Sequence, residues 1–292
     1  MAKRFLLALT LLAFAFPPIA SAEMRLLPGR LDIADFIIEI QKGNVPGHRI
    51  MRSLGERDSI QTTLAGEDVW RGNELSSTPA ALGSHLFIPR PAAAGEQMTI
   101  VCEDPLDNSE GTGIQAIELH YLDALGDEQD ETVATNGTGL VDTVATDIRF
   151  IQEMHATAVG ANTAAVDNCR IFRKTDNTRV YSMISQGTNM SMVPHKMVPR
   201  GKTLHLRTWV GSEATSNKQV RLRLRADADN DVPPVVMTDV FLLKSVMALN
   251  GSSVSLNLGY TIPALTVVKV SAWTQTVNAE VAVHWWGILV DD

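Results

Sequence analysis

The chain has 292 residues, of which 45% are hydrophobic and 20% charged. That is a globular composition, with enough apolar material for one large β domain or two small ones. A formal charge of −8 excludes a general nucleic-acid coat. The only cysteines are Cys102 and Cys169. Two cysteines define no disulfide framework, and without a C-x-x-C pair they make no structural zinc site. They read as two buried thiols or, in an exported chain, as one bridge.

Residues 1–22 have the pattern of a secretory signal. Lys3 and Arg4 precede an uncharged apolar run from Phe5 to Phe16, and Ala20-Ser21-Ala22 forms an A-x-A cleavage pattern before Glu23. An uncleaved hydrophobic arm is the alternative. The run is too short to span a bilayer comfortably, so no membrane is expected for the mature form.

Residues 23–83 read as an N-terminal arm. Asp32 is placed to cap a short helix in which Ile33, Phe36, Ile37 and Ile40 share one face. Gly43-Asn44-Val45-Pro46-Gly47-His48 then supplies turn chemistry, with His48 expected in a hydrogen-bonded structural role. A helix this small forms no core of its own. Residues 24–60 are therefore expected to bury little within their own subunit and to dock on a neighbour, with Ile37 and Ile40 as partner contacts.

Residues 84–292 read as one β-sandwich. Apolar runs and alternations predict strands at 98–102, 114–122, 131–135, 169–173, 179–184, 203–210, 219–225, 235–244, 253–258, 267–273 and 279–290, while 147–158 fits helix or strand. About ten short strands with turn signals between them predict an all-β, jelly-roll-like sandwich. Asn136-Gly137-Thr138, Asn189-Met190-Ser191 and Asn250-Gly251-Ser252 match the glycosylation pattern. The two Asn-Gly pairs also mark tight turns.

Val220-Arg221-Leu222-Arg223-Leu224-Arg225 alternates with period two, aliphatic residues inward and arginines outward. Thr203–Arg207 behaves likewise, with His205 and Arg207 outward. A hairpin through 211–217 would place Arg207 beside Arg221 and His205 beside Arg223. Arg207, Arg221, Arg223 and Arg225 then form either a face neutralised by Asp227, Asp229 and Asp231 or a partner-binding face. In the run from Val281 to Leu289, Trp285 and Trp286 point to opposite sides. Trp285 shares its side with Val281, Val283 and Leu289 and is the expected core residue. Trp286 is the expected partly exposed contact.

No hydrolase, metalloprotease, P-loop or dinucleotide fingerprint stands in a supporting context. The histidines show no i, i+4 pair, and Asp127, Glu128, Asp130 and Glu131 read as a solvated loop. Asp227-Ala228-Asp229-Asn230-Asp231 allows a calcium loop or an acidic turn. Val232 and Thr238, however, occupy the positions where an EF-hand needs Gly and Glu. The expectation is a binding or structural module, not an enzyme, with no cofactor and no metal.

Several pieces in order resemble a family of virion proteins from tailed bacteriophages, common in marine phages. They are the 43–48 turn with Gly55, then Gly111-Thr112-Gly113, then His120-Tyr121-Leu122-Asp123-Ala124 followed by residues 131–138. After these come Arg149-Phe150 with Gly160, and Val198-Pro199-Arg200-Gly201-Lys202-Thr203. The resemblance covers about residues 43–210 and implies an auxiliary head protein: a jelly-roll decoration or cement subunit on the capsid surface. Its implied partner is the major capsid protein, and its implied state a homo-oligomer, a trimer among the options. The signal-like N-terminus departs from that pattern and leaves a secreted or periplasmic location open. An exported glycan-binding or adhesive sandwich is the alternative function.

Overall fold

The computed structural model describes residues 33–60, 91, 94–214, 219–227, 240–249, 251–274 and 279–292. The expected signal, Asp32, Asp229 and Asp231 lie outside them. One helix, α1 (Ile33–Gln41), precedes β1 (His48–Ile60). Seven strands follow between residues 98 and 184: β2 (Met98–Cys102), β3 (Ile114–Leu122), β4 (Glu128–Ala134), β5 (Val141–Asp142), β6 (Phe150–Val159), β7 (Cys169–Arg173) and β8 (Asp176–Ile184). The rest are β9 (His195–Met197), β10 (Lys202–Glu213), β11 (Gln219–Asp227), β12 (Val240–Leu249), β13 (Ser253–Ile262), β14 (Val267–Thr274) and β15 (Ala279–Asp291). The protein is all-β, as expected, and the ambiguous stretch around 147–158 is a strand.

β1 and β9–β15 form two four-stranded sheets, ordered β1-β15-β10-β13 and β12-β11-β14-β9. Counted along the chain, these eight strands pair first with last, second with seventh, third with sixth and fourth with fifth: β1 with β15, β9 with β14, β10 with β13 and β11 with β12, all antiparallel. That nested winding is the jelly roll. Its core lies between the sheets and is built by alternation: Val220, Leu222 and Leu224 from one sheet meet Leu204, Leu206, Trp209, Val281, Val283 and Trp285 from the other.

A second sandwich is inserted between β1 and β9. Sheets β5-β2-β7-β8 and β4-β3-β6 enclose a separate core that includes Met98, Ile100, Ile114, Ile117, Leu119, Met154 and Ile171. Among the described residues the stretch 84–292 therefore holds two large cores, with a small cluster of Leu122, Phe150, Met197 and Val267 besides, where one was expected. Cys102 and Cys169 face each other in the β2–β7 ladder and are disulfide-bonded, so the bridged alternative is the observed one. Nearby, the fully buried Asp107 carboxylate accepts backbone N–H groups of Ile114, Val166 and Asp167 at 2.8–3.1 Å. Gly113 lets the chain wrap this carboxylate, because a Cβ there would lie 2.0 Å from Asp107 Oδ1.

The segment expected to leave its own subunit does the opposite from His48 onward. β1 is the edge strand against β15, in register from His48↔Val290 to Arg57↔Val281. Ten consecutive residues, His48 to Arg57, pair with β15, and their backbone groups that face it find partners an undocked arm would leave to water. Gly55 lets β1 pass beneath Pro194, since a Cβ at that position would lie 2.6 Å from Pro194 Cδ. α1 packs on β1, with Phe36 edge-on to His48 at 5.8 Å.

Candidate functional site

The residues expected to bind a partner do not converge. β10 and β11 lie in different sheets, so the predicted hairpin is absent. Alternation told which side each strand buries, and both bury toward the same core from opposite sheets. Arg207 is exposed on one sheet, and Arg221 and Arg223 are half-buried on the other. Arg225 is only 7% exposed, with Nε 3.3 Å from Ser271 Oγ, and Ile40 is 2% exposed. Both are covered by their own chain and leave the list of partner contacts. Ile37 is half-buried. Trp285 is fully buried, whereas Trp286 is half-buried between Arg52 and Thr208 in the ladders. Asp227, the first carboxylate of the run that allows a calcium loop or an acidic turn, holds the buried Lys269 ammonium at 3.0 Å.

Chemistry concentrates at the seam between the two sandwiches. β4 begins three residues before the strand expected at 131–135, taking in part of the acidic run read as a solvated loop, and the carboxylates of that run are engaged. Asp127 grips Arg200 through two hydrogen bonds, and Glu128 pairs with Arg49 of β1. Glu131 accepts the backbone N–H groups of Val144 and Ala145 at 2.6 and 2.9 Å. Across the seam the Gln152 side chain acts as a strand edge: its Nε2 donates to Met197 O at 2.6 Å and its Oε1 accepts from Met197 N at 3.0 Å. Lys196 donates to Gln152 O at 2.8 Å and Glu153 Oε2 at 2.7 Å. Burial works to raise the Glu153 carboxyl, but the Lys196 ammonium outweighs it and holds the carboxyl below its ordinary range. Burial likewise pushes Lys196 down, against the pull of Glu153. A cleft of about 480 Å³ opens beside these groups, lined by Arg49, Arg52, His120, Asp130, Glu153 and Lys196 among others.

His195, at the base of the seam, is 1% exposed and edge-on to Phe150. Burial, reinforced by the Lys196 and Lys269 charges, pushes its imidazole down to about 3. The unfolded chain therefore binds a proton near the ordinary histidine value that the fold refuses. His195 thus contributes stability that is complete above about pH 6.5 and declines as pH falls toward the folded value. Denaturant unfolding of the intact chain should lose free energy from pH 6.5 to about 4.5, above the usual carboxylate range. His195→Phe should flatten that interval, and an unchanged slope in the variant would contradict this role.

On the outer face of β4-β3-β6, antiparallel pairing sets Glu118 opposite His155 and His120 opposite both Glu153 and Asp130. Glu118 Oε2 lies 3.0 Å from His155 Nε2, Asp130 hydrogen-bonds His120 Nδ1, and the two imidazoles stack at 4.9 Å. Sequence reading passed over this group because no histidine pair has helical spacing. The available signal was a repeated Glu-x-His, at 118–120 and 153–155, in two strands that pair.

No protein-family model and no curated protein matches this chain. Among solved structures, a particle of the infectious bursal disease virus Gx strain is similar at 7% identity over 84% of this chain and 72% of that one, with a TM-score of 0.24. The T13 particle of infectious bursal disease virus is similar at 9% identity over 84% and 73%, with a TM-score of 0.19. At these scores the likeness to viral capsid proteins is weak.

Proposed function

We infer that this chain is a virion structural subunit that binds the capsid surface and stabilises the head lattice as a decoration or cement protein. What supports this most is where the virion-like pieces of sequence fall. Gly47 accepts the Asp291 N–H at 2.9 Å, and Gly55 clears Pro194. Arg149 Nη1 donates to Ala124 O at 3.2 Å. Arg200 clamps Asp127, and Lys202 pairs with Asp291. Of these, Arg200–Asp127 joins the jelly roll to the inserted sandwich, Gly47 and Lys202 hold the ends of β1 and β10 to β15, Gly55 seats β1 under the segment leading to β9, and Arg149 braces the turn between β3 and β4 of the insert. A subunit that reinforces a pressurised lattice needs such stiffness, so that strain at its contacts is not dissipated inside it. Because one fold serves many activities, the coincidence of these pieces with the locking contacts weighs more than the jelly roll itself.

The test is addition of purified chain to capsids stripped of accessory proteins. Co-sedimentation at a fixed ratio to the major capsid protein, with raised heat resistance of the heads, is the expected result. A chain that stays in the supernatant and is absent from purified particles by mass spectrometry would overturn the assignment. The Cys102–Cys169 bridge favours one second reading, since disulfides persist in oxidising compartments: an exported adhesive or glycan-binding module. Under that reading the mature N-terminus is Glu23 and the chain is recovered outside the cytoplasm without particles.

A further inference from the structure

The geometry points to a binding site for a divalent transition-metal ion of the zinc class, formed by Glu118, His120 and His155 on the outer face of the inserted sandwich. One ligand atom from each lies within 4.8 Å of the others. A tetrahedral ion with arms of about 2.0–2.1 Å holds its donors about 3.3 Å apart, and the Glu118 Oε2–His155 Nε2 distance of 3.0 Å is close to that edge. In the metal-free pair the two atoms lie at hydrogen-bond distance, and the ion would take the place of that contact. A carboxylate and two imidazoles are ligands of intermediate softness that suit zinc and its neighbours rather than calcium.

The surroundings support the assignment. Asp130 holds Nδ1 of His120, the arrangement in which a carboxylate orients a metal-bound imidazole through its second nitrogen. That leaves Nε2 of His120 as the ligand. Glu118, Asp130, Glu153 and Glu128 set four carboxylates around the group and its cleft against Lys196, Arg49 and Arg52, so a dication meets net negative charge. Glu153 stays with Lys196 and does not ligate. His155 and Glu118 side chains are 31% and 29% exposed, open enough for an ion to enter and for water to fill the fourth position. The ligands come from two hydrogen-bonded strands, so little ordering is needed on binding. The ion would clip β3 to β6 on the face beside the seam.

The test is equilibrium dialysis of the full, chelator-stripped chain against zinc chloride. One equivalent per chain is expected. His120→Ala or His155→Ala should lower affinity at least tenfold, and the double substitution should abolish binding. Asp130→Asn should lower affinity by roughly 10–100-fold, as loss of an orienting carboxylate does elsewhere. Glu153→Gln should leave the stoichiometry unchanged. Unaltered binding by the double variant would overturn the site. Should the variants fail to fold, the unaltered chain still decides: zinc must protect His120 and His155 from diethyl pyrocarbonate while His48 and His205 keep reacting. Equal labelling of all four with and without zinc would refute the proposal.

Discussion

Trp285→Ala should cost the jelly roll about 3–5 kcal/mol, the range for truncating a buried tryptophan, and should leave little folded protein at physiological temperature. Trp285 is fully buried and stands opposite the equally buried Trp209 in the β10–β15 ladder. Its indole N–H reaches Pro194 O at 3.4 Å, in the segment where the chain returns from the inserted sandwich. Its removal opens a large cavity between the sheets and slackens the seam as well. Trp286→Ala removes a half-buried ring from the outer side of the same strand and should cost far less. Denaturant midpoints of the two variants check this. A larger loss for Trp286→Ala would contradict the placement of the two rings.

Reducing the Cys102–Cys169 bridge should destabilise the inserted sandwich by about 4 kcal/mol, the chain-entropy value for a loop of this size, given a sequence separation of 67 residues. The loss should be local, because the two sandwiches have separate cores. Spectroscopy can separate them. Among the described residues Trp209, Trp273, Trp285 and Trp286, with Tyr260, stand on strands of the jelly roll, whereas Tyr121 and Tyr181 belong to the core of the insert. In the Cys102→Ala/Cys169→Ala variant the tyrosine near-ultraviolet signal should melt earlier, with the tryptophan transition nearly unmoved. Equal shifts of both signals would show that the two cores unfold as one unit.

The strands were legible wherever one side of the sheet is buried. β11, β10 and β15 stand close to where alternation predicts them, and Trp285 and Trp286 separate as the period of two requires. What alternation does not carry is the partner. The β10–β11 connection crosses from one sheet to the other, and the same pattern of inward Val and Leu would serve a hairpin equally well. β1 was read as part of an arm because Gly47, Gly55 and the neighbouring charges mask its alternation; its pairing with β15 depends on residues more than two hundred positions away. The Glu-x-His pairs were hidden for the same reason: each is unremarkable alone, and only the β3–β6 register brings them together. The existence of the disulfide also waited on that long-range register, since nothing local distinguishes a bonded cysteine from a buried thiol.

The nested winding sets an order on synthesis. The ladders among the strands of the inserted sandwich are complete once residue 184 has been made, and the bridge of His155 to Met190 follows a few residues later. The first sheet of the jelly roll cannot close so early: its second strand, standing between β1 and β10, is β15. Until residues 279–291 leave the ribosome, β1 and β10 have an open lane between them, and Trp209 has no Trp285 to meet. The nascent chain thus carries a finished sandwich ahead of an unfinished one for the last hundred residues of translation. During that interval β1 is an unpaired edge, a template for a neighbouring nascent chain. Crowded polysomes, rather than the finished protein, are where this architecture is most exposed to misassembly.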